Sequence, residues 1–341
     1  WIREAFGDRW GSRVAWYYWI NFPLWIASLA TLFPDILGMV FGVEFELAPV
    51  LLIELAFVWI VVFMSFSKVS DSAWILNGGA VLKVLIAVSV GGLGIWYAVN
   101  NGFASDMSPA TFMPDLTNTN ALTYLSIILF NFMGFEVITT YVGSMENPNK
   151  QIPRAIIAGG IAIAALYLFS SFGIGAAIPA MDISLDSGIM DAVGIMAGVG
   201  SVLFIVVGIV FLITLFGNMV SWSFGVNFVA EHAARKKNMP KVFAHESKKN
   251  QMPTGAAIVN GVVASVLVLL SPVMELAGFD SFFWIFFSMN IVFLLISYIP
   301  MFPAFLKLRK IDPAANRVFK VPGGHGVALV VAWVPVILLV L

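Results

Sequence analysis

The chain consists of long apolar segments separated by short polar ones, a pattern that predicts membrane-spanning helices. A bilayer core of about 30 Å needs about 20 apolar residues in helical conformation. Nine segments fit this pattern: residues 12–34, 48–66, 77–99, 121–143, 154–178, 200–224, 254–271, 281–306 and 326–341. Runs such as Val202 to Phe216 do not alternate between polar and apolar residues, as strands of a membrane barrel would. The sequence therefore predicts an all-α, polytopic membrane protein with nine transmembrane helices.

The composition supports a membrane protein and excludes several other classes. Hydrophobic residues make up 60% of the chain and charged residues 11%, whereas soluble proteins carry about 25% charged residues. The net charge is −1, so no basic excess is present to bind nucleic acid. Cysteine is absent, which excludes disulfides and thiolate metal sites. The lipid bilayer is the partner that this composition predicts, and the number of subunits stays open.

The charged residues predict how the helices are oriented. All eighteen Lys and Arg residues lie in or beside the first segment and alternate loops thereafter, and the opposite loops carry ten acids. Because Lys and Arg are retained on the cytoplasmic side, we expect a multi-pass protein of the cell (plasma or inner) membrane with its first residue in the cytoplasm. The chain begins with Trp1 and ends inside an apolar segment, so we also expect it to be part of a longer protein.

Polar side chains inside the spans are costly and are therefore candidates for function. The ionisable ones are Glu54, Lys83 and Glu136. Glu54 and Lys83 each lie about two helical turns from a span end, so either can reach water along its apolar stem or serve a function in the membrane. The amides inside the spans are those of Asn21, Asn131, Asn218, Asn260 and Asn290.

The segment from Phe130 to Glu136 places an amide, a glycine and a carboxylate within little more than one helical turn. Glycine costs about 1 kcal/mol in a helix interior, and a carboxylate in hydrocarbon needs a cavity or a partner. Two interpretations stay open. The segment is either a discontinuous helix whose freed backbone groups hold a charged solute, or a close helix crossing at Gly134 with Glu136 paired to a neighbour.

Asn218, Trp222 and Gly225 lie at positions i, i+4 and i+7 of the sixth span and therefore share one helix face. Such a face can line a transport pathway, where the indole can stack on a cationic ligand. Ordinary helix packing with the indole toward lipid is the alternative.

Signatures of enzymes are absent from the sequence. It contains neither an H-E-x-x-H zinc motif nor a G-x-x-x-x-G-K-[ST] phosphate loop. We therefore expect no enzyme activity, no cofactor and no metal.

Several motifs resemble the amino acid–polyamine–organocation permeases. Residues 132–136 (FMGFE), 144–148 (SMENP) and 152–156 (IPRAI) are similar to the sixth helix of that family and its following loop. Further similar stretches are residues 1–7 (WIREAFG), 236–243 (KKNMPKVF) and 317–323 (RVFKVPG).

The resemblance implies an inverted-repeat fold in which the nine spans correspond to family helices three to eleven. Residues 1–341 would form a single transporter domain. Within it, 1–119 would be the last three helices of the first repeat, 120–306 the second inverted repeat, and 307–341 a loop and accessory helix.

The resemblance also implies secondary active transport of amino acids, by amino acid/amine exchange or by proton coupling. The run from Asn218 to Trp222 most resembles the glutamate/γ-aminobutyrate antiporters. A general proton-coupled amino acid symporter is the alternative within the family, and a membrane-embedded enzyme or a channel is the alternative outside it. The expected partner is a small molecule, an amino acid or its amine.

Roles for individual residues follow from the resemblance in the same way. Glu136 would anchor the broken helix, and the Lys83 ammonium would replace the sodium ion of sodium-driven relatives. The substrate would be bound by Phe130, Asn131, Phe132, Gly134, Asn218 and Trp222.

Overall fold

The computed structural model describes residues 1–69, 71–108, 111, 113, 125–179, 182–183, 187–278, 281–315, 317 and 321–340. These residues form helices, turns and loops, and no β-strand occurs among them.

Twelve α-helices are numbered here in chain order. They are α1 (Ile2–Phe6), α2 (Asp8–Phe41), α3 (Leu47–Met64), α4 (Ala73–Asn101), α5 (Leu125–Asn131), α6 (Pro148–Ala177), α7 (Gly188–Ala197), α8 (Val202–Arg235), α9 (Thr254–Leu276), α10 (Phe282–Tyr298), α11 (Met301–Ile311) and α12 (Gly324–Val340). Within the described residues, 3-10 segments lie between these helices at Phe135–Ser144 and Lys241–Ala244.

Seven helical units of the described chain are long and apolar enough to cross a membrane: α2, α3, α4, α6, α8, α9 and the combined unit Phe282–Ile311. Each coincides with a predicted span. The predicted spans 121–143 and 326–341 coincide with shorter apolar elements, and residues 121–124 and 341 lie outside the described residues. The polytopic all-α fold is confirmed. Seven helices of the described chain satisfy the length and apolarity criteria for a span, whereas the sequence predicts nine.

Helix ends follow local sequence signals. Helix α2 ends at Gly42, which has a left-handed backbone (φ 66°), a conformation that glycine adopts without a Cβ clash. Helix α8 begins after Ser201, whose hydroxyl accepts a hydrogen bond from the Phe204 N–H at 3.1 Å, as an N-cap does.

Helix α2 lies at the centre of the bundle. In its most apolar window 61% of the residues are buried, against none in that of α6. It packs on α3, α8, α9 and α10.

Helices α4 and α6 cross where both carry glycine. A Cβ added to Gly94 would lie 2.1 Å from the Gly173 carbonyl oxygen, and one added to Gly173 would lie 2.2 Å from the Gly91 oxygen. Small residues permit such close approach of membrane helices, so the two backbones touch directly at this crossing, called here the glycine crossing.

The charged residues lie mainly in the loops and at the helix ends, so they gather at two opposite ends of the bundle. At the end that we call the basic end, α1 packs on α11, and the Lys307 Nζ lies 4.7 Å from the centroid of the Phe6 ring. The opposite end, called the acidic end, carries Asp35, Glu44, Glu46, Asp106, Asp191 and Glu275.

Candidate functional site

The helix within the predicted span 121–143 is interrupted at its centre. Helix α5 ends at Asn131, and the N–H groups of Phe132 and Met133 then bond the carbonyls of Leu129 and Phe130, each at 3.0 Å. Gly134 has φ 100°, and a 3-10 segment begins at the next residue. The discontinuous helix, one of the two interpretations that the sequence pattern left open, is therefore present.

Glu136 holds this break against two neighbouring helices. Its Oε1 accepts a hydrogen bond from the Tyr18 hydroxyl of α2 at 2.7 Å, and its Oε2 accepts one from the Tyr298 hydroxyl of α10. The Tyr298 oxygen in turn accepts the Gly134 N–H at 2.7 Å. One carboxylate and one backbone amide thus tie the broken segment to α2 and α10, by contacts that fit the anchoring role expected for Glu136.

The face of α8 that carries Trp222 and Gly225 packs against the broken segment. A Cβ on Gly134 would lie 2.9 Å from Trp222 Cζ2, and a Cβ on Gly225 would lie 2.4 Å from Val137 Cγ1. Both glycines therefore allow close contact between α8 and the break. The Trp222 ring lies over the break and is only partly buried, so it does not face lipid alone.

Aromatic rings surround the end of α5. Trp25 of α2 contacts Trp222 and Phe130 edge-to-face, with centroids 5.1 and 5.3 Å apart, and Phe130 contacts Phe287 of α10 at 5.4 Å. Phe130 is buried. These four residues are called here the aromatic cluster, and edge-to-face rings of this kind present polarised surfaces that attract cations.

Two buried amides lie one helical turn from the aromatic cluster. Tyr17 of α2 stacks on Phe293 of α10 with centroids 6.2 Å apart. One turn further along these antiparallel helices are Asn21 and Asn290, both 0% exposed. Asn21 Oδ1 and both polar side-chain atoms of Asn290 have no hydrogen-bond partner. The sequence pattern identified both as intramembrane amides without assigning them to the site.

Lys83 and Asn218 form a separate contact. The Lys83 ammonium of α4 donates to the Asn218 Oδ1 of α8. Asn218 is therefore engaged by α4, although it shares a helix face with Trp222. Lys83 makes no ion pair with any described residue.

Asn131 and Phe132 lie on the exposed side of the break. Phe132 contacts the Tyr167 ring of α6 edge-to-face at 5.7 Å. Of the six predicted substrate-binding residues, the structure brings Phe130, Gly134 and Trp222 together, and it places Asn131, Phe132 and Asn218 outside the aromatic cluster.

A cavity of about 990 Å³ runs from Glu136 to the basic end. Near the break its walls include Tyr18, Glu136, Thr139 and Thr140. Towards the basic end they are Arg3, Glu4, Glu231, His232, Lys236 and Asn238. A small polar solute entering from the basic end can therefore reach the carboxylate that holds the break.

At the mouth of this cavity Arg3 Nε donates to Asp8 Oδ1 at 2.5 Å. The hydrogen bond and the carboxylate charge raise the pKa of Arg3, which keeps its guanidinium charged at the mouth. Groups of three or more metal-binding side chains do not occur within the described ranges.

Comparison with known proteins agrees with this architecture. A profile of the amino acid permease family matches residues 1–341. The chain is 49% identical to the "Probable agmatine/putrescine antiporter AguD" of Lactococcus lactis subsp. lactis, over 100% of this chain and 72% of the relative.

More distant relatives are also transporters by name. The chain is 22% identical to a glutamate/gamma-aminobutyrate antiporter of the same bacterium, over 95% of this chain and 66% of the relative. It is 25% identical to a probable polyamine transporter of Arabidopsis thaliana, over 99% of this chain and 64% of the relative. The family and these relatives are transporters and not enzymes. With its apolar helices and a profile match along its whole length, the chain belongs to the amino acid permease family of multi-pass membrane transporters.

Proposed function

We propose that this protein is an antiporter that exchanges small cationic amines, of the agmatine and putrescine class, across the cell membrane. The observation that carries the proposal is the 49% identity, over the whole chain, to a relative named as an agmatine/putrescine antiporter. It is more than twice the 22% shared with the glutamate/gamma-aminobutyrate antiporter.

The interrupted helix supplies a site with the chemistry that a cationic amine needs. One ammonium of the substrate would lie against Trp222 and the aromatic cluster, because aromatic faces attract desolvated cations. Gly134 carries no side chain, which lets the Trp222 ring pack directly on the backbone of the break beside the ligand. Both carboxylate oxygens of Glu136 accept hydrogen bonds from tyrosine hydroxyls. Glu136 would therefore affect ligand binding indirectly, by fixing the conformation of the break.

The second polar end of the substrate would reach the buried amides of Asn21 and Asn290. Their Oδ1 atoms are acceptors without partners, and an ammonium or guanidinium is a donor on every side. Unsatisfied buried polar atoms are costly. A substrate with donors at both ends would satisfy the two Oδ1 acceptors, whereas an amine with an apolar end would not.

Proton-coupled transport, unlike amine exchange, requires a group that binds and releases a proton. Lys83 contacts α8 near the site without a carboxylate partner, and loss of its proton would weaken its contact with Asn218. Proton-coupled uptake of an amino acid, with Lys83 as the proton carrier, is therefore the second candidate function.

The cavity connects the break at Glu136 with the basic end of the bundle. Because basic residues are retained in the cytoplasm, we assign the basic end, and with it Trp1 and the cavity mouth, to the cytoplasmic side. The substrate would then leave the break past Thr139 and Thr140 towards the cytoplasm.

Exchange by the full-length protein in proteoliposomes tests the proposal. Vesicles loaded with putrescine should take up labelled agmatine, whereas empty vesicles or vesicles loaded with γ-aminobutyrate should not. Uptake into empty vesicles that is driven by a pH gradient and abolished by a protonophore would instead favour the symporter. Exchange of glutamate for γ-aminobutyrate without uptake of agmatine would refute the amine assignment.

A further inference from the structure

Glu54 is a buried carboxyl group that the proposed transport site does not use. It lies in α3 and is 3% exposed, and its Oε2 atom is buried without a hydrogen-bond partner among the described residues. It is the one ionisable residue of α3. Its burial rules out the snorkelling to water that its position near a span end permits.

The helices packed on α3 place only acids near Glu54. The Phe33 and Phe57 rings of the antiparallel helices α2 and α3 lie 5.1 Å apart, which brings Asp35 of α2 to the level of Glu54. The exposed Asp35 carboxylate acts on Glu54 by its like charge. Glu44 and Glu46 lie in the loop before α3, and Glu275 lies at the same end of α9.

Positive charge is absent from this region of the described chain. In α2 the basic residues are Arg9 and Arg13, and in α8 they are His232 and Arg235, all at the basic end. Helix α9 carries no basic residue. A buried carboxylate without a cation or full hydrogen bonding is strongly unfavourable, so Glu54 must be neutralised from outside the protein.

A proton is the neutralising species that the space allows. Glu54 is 3% exposed and its Oε2 is buried, so the packing around the carboxyl leaves little space for an amine or a hydrated metal ion. We propose that Glu54 is a proton-binding site: its carboxylate takes a proton from water at the acidic end, by way of Asp35, and becomes a neutral carboxylic acid. The Asp35 carboxyl that gives up this proton is reprotonated by solvent.

The site is separate from the broken helix and does not depend on the proposed substrate. Ionisation of Glu54 would leave a charge between α2, α3, α8 and α9. The packing of these four helices should therefore be most stable in acidic buffer and weaken in alkaline buffer, whatever the protein transports.

Infrared spectroscopy of the full-length protein in lipid nanodiscs tests the proposal without any substrate. The carbonyl band of a protonated carboxylic acid should be present in neutral buffer and absent from Glu54→Gln. The matched control is Glu275→Gln, which removes an exposed acid of the same end and should lose intensity only in the carboxylate bands. Loss of carboxylate intensity from Glu54→Gln in neutral buffer would overturn the proposal.

A second variant keeps Glu54 and tests the route through Asp35. In Asp35→Asn the protonated band should disappear at a more acidic pH than in wild type, because the like charge that favours the neutral acid is gone. The wild-type titration needs no Glu54 variant, so poor folding of Glu54→Gln leaves the test intact. If the band disappears at the same pH in Asp35→Asn as in wild type, the role of Asp35 is refuted. Absence of the band from wild type at neutral pH would refute the site.

Discussion

Gly134→Ala should destabilise the protein through two separable effects at the helix break. Gly134 has φ 100°, and an L-residue with a left-handed backbone costs about 1–2 kcal/mol. The new Cβ would also lie 2.9 Å from Trp222 Cζ2 and 3.3 Å from Cη2, and overpacking of this kind costs about 1–3 kcal/mol. We expect the free energy of unfolding to fall by about 2–5 kcal/mol.

The two effects can be separated in a double-mutant cycle. Leucine lacks the ring atoms that meet the new Cβ, so in a Trp222→Leu background Gly134→Ala should cost only the backbone share, about 1–2 kcal/mol. Unfolding by denaturing detergent, followed by circular dichroism, measures each variant.

A matched control is available in α4. Gly78 has helical geometry, and a Cβ added to it meets nothing within 4 Å, so Gly78→Ala should be neutral or should stabilise by up to about 1 kcal/mol. If Gly134→Ala is as stable as Gly78→Ala, neither the backbone effect nor the steric effect at Gly134 is present. Equal costs of Gly134→Ala in the two Trp222 backgrounds would refute the steric contact.

Three further predictions concern the anchor, the coupling group and the aromatic face. Glu136→Gln should lower the free energy of unfolding by about 3–5 kcal/mol, as loss of one partner from a buried charged network does; a melting curve like that of wild type with only a raised KM would place Glu136 in contact with substrate. Lys83→Met should abolish the pH dependence of transport in proteoliposomes, and an unchanged pH profile would contradict a coupling role. Trp222→Ala should weaken amine binding by about twofold to thirtyfold, and Trp222→Phe should weaken it less. The control Trp96→Ala, which removes an exposed indole of α4, should bind like wild type. Equal binding by Trp222→Ala and Trp96→Ala would remove Trp222 from the site.

The sequence predicts the break but not the residues that hold it. An amide, a glycine and a carboxylate within one turn indicate an interruption because each disfavours a membrane helix. The partners of Glu136 are Tyr18 and Tyr298, which are 118 and 162 residues away. Tyrosines near span ends are common at membrane interfaces, so their spacing alone does not indicate a shared carboxylate.

Helix periodicity predicts which residues share a face, but not which neighbour each one meets. Trp222 and Asn218 are one turn apart, yet Trp222 contacts Gly134 whereas Asn218 binds Lys83, 135 residues earlier in the chain. Asn21 and Asn290 could not be matched before the register of α2 on α10 was known, which the contact of Tyr17 with Phe293 fixes.

The length of an apolar segment predicts the continuous spans well and the interrupted span poorly. The seven long helices follow directly from apolar runs of at least 18 residues. The segment 121–143 satisfies the same length criterion, but α5 ends at Asn131 because Gly134 and its neighbours leave the helix. Hydropathy sums ignore such backbone interruptions.

The glycine crossing favours movement of α4 and α6 as one rigid pair. Sliding or rotating one helix on the other would drive Gly94 into the Gly173 backbone, which lies where a Cβ would be. Lys83, which contacts Asn218, belongs to α4, and Tyr167, which contacts Phe132, belongs to α6. A tilt that separates Lys83 from α8 would therefore also shift the ring that touches the broken segment, so the Lys83 contact and the position of the break are mechanically linked without a direct contact between them.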